Sequence, residues 1–369
     1  MKKYIILSFV GLGLVGCATK KETVDTTPKN PTVVLTANTA ISGYILPDST
    51  GTQTVYTRGT VRRIDNIWNR QSWVSRKVLG NVNETQIGFT EKNLSWHFNN
   101  PKKTYIECPL FGCATNVWKQ LIDEESDEES EEESFFPNTS ATCSLTSKAT
   151  FDVIDKKNSR QVNGFNASQY QLVWNVTNTD DKGRKDEHKI VMDFWMTAPD
   201  EGMKDAWRIN EEFQNNYLKA VGANDSALGR FLGEQVYKPL AAISGDTEKS
   251  NTMKVLNGKL SALKGYPISI KLEWYLANGN TCSEALEKRN ANTEKNNEQI
   301  DFKDPVGSLG SLAGGFLKNK AKTTASKKVE RDPAKPLIRF VYDVTSVGLE
   351  QRNDSIFMIP SGYKLANRE

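Results

Sequence analysis

The chain reads as a β-rich α+β protein: one large curved antiparallel sheet, a half-open barrel, covered by a few helices. Three observations lead there. Apolar and polar residues alternate with a period of two over most of the folded length, as half-buried strands require. Short turn signals such as Asn99-Asn100-Pro101 and Ala277-Asn278-Gly279-Asn280 separate several of the alternating runs, which suits strands that meander antiparallel. A helical spacing of three and four appears at length only between about residues 200 and 263. With 37% hydrophobic residues, eight Trp and fifteen Phe, the chain has enough apolar mass for a core.

The first sixteen residues precede the fold. Lys2 and Lys3 form a basic head, Tyr4 to Val15 an apolar stretch, and Gly16 a small residue for cleavage. This is a secretory signal peptide over 1–16, too short to span a bilayer as a permanent helix. Leu14-Val15-Gly16-Cys17 resembles the lipobox of bacterial lipoproteins. That resemblance implies a diacylglycerol on the Cys17 thiol, cleavage before it, and a fatty acyl group such as palmitate on the new amine. Acyl methylenes contribute about 0.8 kcal/mol each when buried, so several chains anchor firmly where one holds marginally. Ala18 after the cysteine, in place of an aspartate, resembles the sorting default for the outer membrane. The expected location is therefore lipid-anchored at that membrane, on its periplasmic or surface face.

Residues 17–31 then read as the lipidated N-terminus and a flexible polar tether, with Lys20-Lys21 and Thr26-Thr27-Pro28-Lys29-Asn30-Pro31. Residues 32–369 read as a single β-rich domain. Its strand candidates run over Thr54–Ile64, Gln71–Leu79, Glu84–Thr90, Asn93–Phe98 and Thr104–Cys108, then Ala149–Asp155, Ser168–Thr177 and His188–Thr197. Tyr266–Leu276, Leu337–Val347 and Ser355–Ile359 follow. Helices are expected over Asp200–Val221 and Asp225–Ser244, where Trp207, Phe213, Tyr217, Leu228, Phe231 and Leu232 recur at helical spacing, and a shorter one over Lys249–Leu263. Two inserts interrupt the domain. The acidic run 123–134 lacks the glycine turn and ligand alternation of a calcium loop and reads as a solvated, disordered segment. The polar, glycine-bearing stretch 284–336 reads as a pliable loop.

Charge and cysteines bound the partners. The formal charge of +3 falls to +1 once Lys2 and Lys3 leave with the signal, which gives no case for nucleic acid. Cys108, Cys113, Cys143 and Cys282 remain, an even number that favours disulfides in an oxidising compartment, with three pairings open. A zinc site is disfavoured because the spacing is not a zinc pair and only His97 and His188 are present. No metal or other cofactor is implied.

The segments Gly88 to Pro109, Val162 to Trp174, Val191 to Pro199 and Phe357 to Lys364 carry a glycine-containing strand start, a tryptophan-bearing strand before a threonine, and a closing Pro-x-Gly-Tyr. In that order they are similar to a family of uncharacterised bacterial envelope proteins whose sheet resembles the lipoprotein carriers LolA and LolB. In those carriers the concave face shelters acyl chains beneath a helical lid. The resemblance implies a hydrophobic cavity here, for which Trp96, Phe98, Trp174, Trp195, Trp274 and Phe340 on strands, with Trp207 and Phe231 on the lid, are the candidates. The plain alternative is that these side chains pack as a dry core.

Catalysis is not expected. No G-x-S-x-G elbow, H-E-x-x-H, P-loop or Rossmann glycine pattern occurs, and Asp65, Glu107 and Asp193 read as strand-exposed charge rather than paired carboxylates. Two functional classes follow: a carrier of a lipid or other hydrophobic ligand, or a non-catalytic scaffold that presents a surface to other envelope proteins.

Overall fold

Alternating side chains become strands only where each backbone finds a neighbour, and in this chain those neighbours form one continuous ladder. The computed structural model describes residues 25–43, 48–73, 76–77, 80–110, 145–198, 200, 203–221, 258–260, 263, 265–278 and 332–366. The strands are β1 (Lys29–Ser42), β2 (Ser49–Arg58), β3 (Val61–Arg70), β4 (Val82–Phe89), β5 (Leu94–Asn99) and β6 (Thr104–Pro109). They continue with β7 (Leu145–Val162), β8 (Phe165–Asp180), β9 (Lys185–Thr197), β10 (Tyr266–Ala277), β11 (Ile338–Asn353) and the short β12 (Lys364–Leu365). Helix α1 (Lys204–Ala220) lies between β9 and β10, and a 3-10 turn, Asp354–Phe357, follows β11.

All 12 strands share one sheet in the order β12-β6-β5-β4-β3-β2-β1-β11-β10-β9-β8-β7, which does not close on itself. Two antiparallel meanders, β1 to β6 and β7 to β11, meet where β1 pairs with β11 from Lys29↔Asn353 to Ser42↔Arg339. Among the described residues the one parallel contact is β12 on β6. The expected large antiparallel sheet is therefore present, open, with one long helix against it among the described residues. No helix there is long and apolar enough to cross a membrane.

Four local expectations need correction. β1, the strand that joins the two meanders, was absent from the expected set, and its first residues lie where the tether was placed: Lys29 to Pro31 are already paired with β11. Thr54–Ile64 is two strands, since Gly59-Thr60 turns the chain and β2 pairs with β3 from Ser49↔Arg70 to Arg58↔Val61. Over Gln71–Leu79 no described residue is in a strand, the chain leaving the ladder at Arg70. Ser355–Ile359 is not a strand either, because its first residues form the 3-10 turn.

The main core lies on one face of β8 to β11, where Leu172, Trp174, Ile190, Met192, Phe194, Ile270, Leu272, Trp274, Ile338 and Phe340 are buried and continue to Ile41, Trp68 and Val82. Gly51 makes that continuity possible. It stands between Thr39 and Trp68 in the ladder, and a Cβ there would run into the Ile67 carbonyl oxygen and lie 2.8 Å from Thr39 Oγ1 and 3.0 Å from the Trp68 ring. The Trp68 ring therefore occupies space that any other β2 residue would fill.

Helix α1 forms because Ala206, Trp207, Phe213, Gln214, Tyr217 and Leu218 share a buried side, with Asp205 in the first turn and Lys219 in the last to suit the helix dipole. It packs against β1, β2 and β11. Asn216 Nδ2 donates to the Gly59 carbonyl at 2.8 Å, and the Arg62 guanidinium lies 4.1 Å above the Phe213 ring. The C-terminal tail covers part of the other face: Phe357 buries against Ile87 and Phe98, and Tyr363 donates to Asn100 Oδ1 at 3.0 Å.

Candidate functional site

The cavity candidates do not form one group. Trp174, Trp274 and Phe340 belong to the main core. Trp207 belongs to a second cluster with Ala167, Ile268 and Val344, where Trp195 packs partly buried and the Trp207 ring stacks on Tyr266 at 4.2 Å. Phe98 is buried in a third cluster, with Trp96 packed beside it under the C-terminal tail. Neighbouring strand residues point to opposite faces. By register Trp96 pairs with Ile87 and its neighbour His97 with Gln86, so Trp96 and Phe98 face away from the side that holds Trp68 and Val82. Phe231 lies outside the described residues. The described candidates therefore fall in three packed clusters.

The face shared with Trp68 turns polar toward β2 to β5. Gln53 Nε2 donates to Asn66 Oδ1 at 2.8 Å, and the Tyr342 hydroxyl donates to Gln53 Oε1 at 3.2 Å across the intervening β1. Burial pushes the Tyr342 hydroxyl well above its ordinary value, so it stays a neutral donor. Arg70 donates to Ser49 Oγ at 3.0 Å; burial lowers its pKa while the Glu84 charge opposes that shift. These bonds satisfy polar groups that the fold has enclosed, and such a network specifies strand register.

One pair resembles a nucleophile and its base. Ser95 Oγ and His97 Nε2 stand 3.1 Å apart. The serine hydroxyl, however, donates to the Pro109 carbonyl at 3.0 Å, and the residue is 0% exposed, so its proton is engaged and no substrate carbon can approach. The three acids also stay apart. Asp65 binds Arg63 at 2.9 Å and Thr85 at 2.6 Å; Glu107 accepts from Trp96 Nε1 at 3.0 Å; Asp193 accepts from Gln171 at 2.9 Å and pairs with Lys271 at 3.0 Å. His188 is buried in the main core, where its Nδ1 accepts from Trp274 Nε1 at 3.2 Å.

The most elaborate polar constellation is one that sequence reasoning missed. Residues 25–30, assigned to the tether, are clasped to the end of β11 and the 3-10 turn. Ser355 Oγ donates to the Asp25 carboxylate, and the Ser355 amide donates to Thr27 Oγ1 at 3.2 Å. Asn353 Nδ2 donates to the Thr27 carbonyl at 2.9 Å, and the Asp354 amide to the Pro28 carbonyl at 2.9 Å. Asn30 Nδ2 and Arg58 Nη1 both reach Asp354 Oδ1, at 2.8 and 2.6 Å. Two signals were in the sequence: Asp25-x-Thr27 has the spacing of a side chain that caps its own turn, and Asn353-Asp354-Ser355 offers three short polar side chains in a row.

The clasp carries a pH dependence of known sign. The hydrogen bond from Ser355, then those from Thr27, lower Asp25 from 3.8 to about 2. Asp354 is lowered too, by Asn30 first and Arg58 next. A depressed carboxylate stabilises the clasp fully above its unfolded value and loses that contribution as pH falls through the folded one. Thr27 and Ser355 amide resonances followed from pH 6 downward are therefore expected to shift with a midpoint near 2, from the value of Asp25 in the clasp. A midpoint near 3.8 would mean that Asp25 is not held.

Cys108 is the only candidate cysteine among the described residues. It is buried at the end of β6, and no disulfide joins two of the described residues. Cys113, Cys143 and Cys282 lie outside that set, as do Cys17, the signal segment 1–16, the acidic run 123–134 and residues 284–331 of the second insert. Searches against protein-family models and against the curated proteins return no match for this chain.

Proposed function

We propose that this chain is a bacterial envelope lipoprotein, anchored by acyl chains on Cys17, whose open sheet is a non-catalytic scaffold for other envelope components. The observation that carries the choice of scaffold over carrier is the division of the aromatic candidates. Trp174, Trp274 and Phe340 are buried against one another's strands, Trp207 is stacked on Tyr266, and Phe98 is sealed by the C-terminal tail. Side chains spent on packing are not free to line a hollow. The likeness to LolA and LolB enters this reading as architecture alone: an antiparallel sheet left open, with a helix against one face. Ala18 supports placement at the outer membrane, and Cys108 is assigned one partner among Cys113, Cys143 and Cys282.

Mass spectrometry on the full-length protein, extracted from bacterial envelopes in detergent and sprayed under native conditions, tests both halves. The expected result is a covalent acyl increment on the peptide that begins at Cys17 and no further bound lipid. An unmodified Cys17 would remove the anchor. A stoichiometric non-covalent acyl lipid would replace the scaffold by the carrier.

A further inference from the structure

The chain enters the sheet at β1, and β1 lies inside the sheet rather than at an edge. It is paired on both sides, with β11 from Lys29↔Asn353 to Ser42↔Arg339 and with β2 from Val33↔Thr57 to Ile41↔Ser49. Hydrogen bonds of an antiparallel ladder run perpendicular to the strands. A pull along β1 from its N-terminal end therefore loads the bonds of both ladders together, whereas a pull across the strands opens them one pair at a time. The C-terminal end is held differently: β12 is only Lys364–Leu365, set parallel on β6 at the edge of the sheet.

Two features oppose sliding of β1. A bulge interrupts its register with β11 between Thr36 and Ala37, where the Thr36 and Thr345 hydroxyls stand 2.9 Å apart, so a slip would have to move the bulge as well. At the entry itself, Arg58 from the end of β2 reaches across β1. Its Nε donates to Thr32 Oγ1 at 2.8 Å, its Nη2 to the Arg352 carbonyl at 2.9 Å and its Nη1 to Asp354 Oδ1 at 2.6 Å. One guanidinium thus ties β2, β1 and the end of β11 together where tension from the N-terminus arrives, and the planar fork of arginine fixes all three directions at once. The Phe357 ring steadies it further, with its centroid 4.7 Å from the guanidinium carbon.

We propose that β1 is the load-bearing strand of this protein: tension between the membrane anchor and an envelope component held elsewhere on the sheet passes through β1 as shear, with Arg58 as the clamp at its entry. The source of that tension rests on the lipoprotein reading, and the resistance to it rests on the ladder alone.

The test is single-molecule pulling on the full-length protein, with p-azidophenylalanine handles in two geometries at one loading rate. Handles replacing Lys20 and Arg339 pull β1 and β11 from opposite ends and shear them, while handles replacing Lys20 and Glu350 pull from the same end and unzip them. The rupture force in shear is expected several-fold above that in unzipping. Arg58→Ala should lower the shear force, whereas Trp274→Ala, a core substitution on β10 outside both β1 ladders, should change it less, because forced rupture follows the unfolding barrier along the pulling direction. Equal forces in the two geometries would overturn the load-bearing strand, and an Arg58→Ala shear force no lower than that of Trp274→Ala would overturn the clamp. Acylation of Cys17, measured by mass on the same protein, keeps the two readings apart. Equal forces with Cys17 acylated remove the joint and leave the lipoprotein; unequal forces with Cys17 unmodified leave the joint and remove the anchor.

Discussion

Replacing Trp274 by alanine is expected to cost about 3–5 kcal/mol of unfolding free energy, the range for a large aromatic removed from a packed core. Trp274 is 0% exposed on β10, between Ile190 on β9 and Ile338 on β11. Its loss empties the middle of the largest cluster, and the indole also supplies the hydrogen bond to His188 Nδ1, worth about a further 1 kcal/mol. Chemical denaturation monitored by circular dichroism measures the difference. Trp73→Ala is the matched control: that side chain is 62% exposed, and its removal should stay within about 0.5 kcal/mol. If the two variants unfolded at the same denaturant concentration, the core would not be where the β8 to β11 face places it.

The second large effect concerns an atom that is absent. Gly51→Ala adds one methyl group near the start of β2, where the Ile67 carbonyl, Thr39 Oγ1 and the Trp68 ring already stand. Two of these neighbours are a backbone carbonyl and a buried ring, which cannot swing aside as a flexible side chain would. Overpacking of this kind costs about 1–3 kcal/mol, more than the gain of a few tenths to 1 kcal/mol that glycine replacement usually brings through the unfolded chain. Gly348→Ala on β11 separates the two terms, since nothing lies within 4 Å of a Cβ there. That variant should be neutral or slightly stabilised, so opposite signs for the two in parallel denaturant titrations are the expected result. Equal values would mean that Trp68 does not lie over Gly51.

Much of the fold was legible because strand alternation is a local signal. Phe165 to Asp180 and Lys185 to Thr197 alternate over most of their length, and the expected strands there fall inside the observed ones. The failures have local causes as well. Thr54 to Ile64 carries Val55 and Tyr56 before Gly59 and Val61 and Ile64 after it, and the turn at Gly59-Thr60 shows only in the pairing of β2 with β3. β1 is hard to read locally: Lys29 to Pro31 are polar and suit a tether, and Thr36, Asn38 and Thr39 dilute the apolar pattern of Thr32 to Ile41. Ser355 to Ile359 has strand-like composition, yet the backbone turns there because Arg63 and the clasp hold its carbonyl and amide groups. For the candidate site, aromatic content was legible and its grouping was not: period two says that Trp96 and His97 oppose each other, without saying which of them meets the core.

The sequence by itself determined the two-fold alternation that makes strands and the spacing that places Trp207, Phe213 and Tyr217 on one side of a helix. Each depends on residues a few positions apart. Tertiary structure alone decided that β1 joins β11, that Gly51 yields its place to Trp68, and that residues 25–30 close on Asn353 to Ser355. The Asn30 bond to Asp354 spans 324 residues of chain. Pairing over such a distance is selected by the combined burial and hydrogen bonding of the whole sheet, in which a one-residue slip would turn every core side chain to the opposite face.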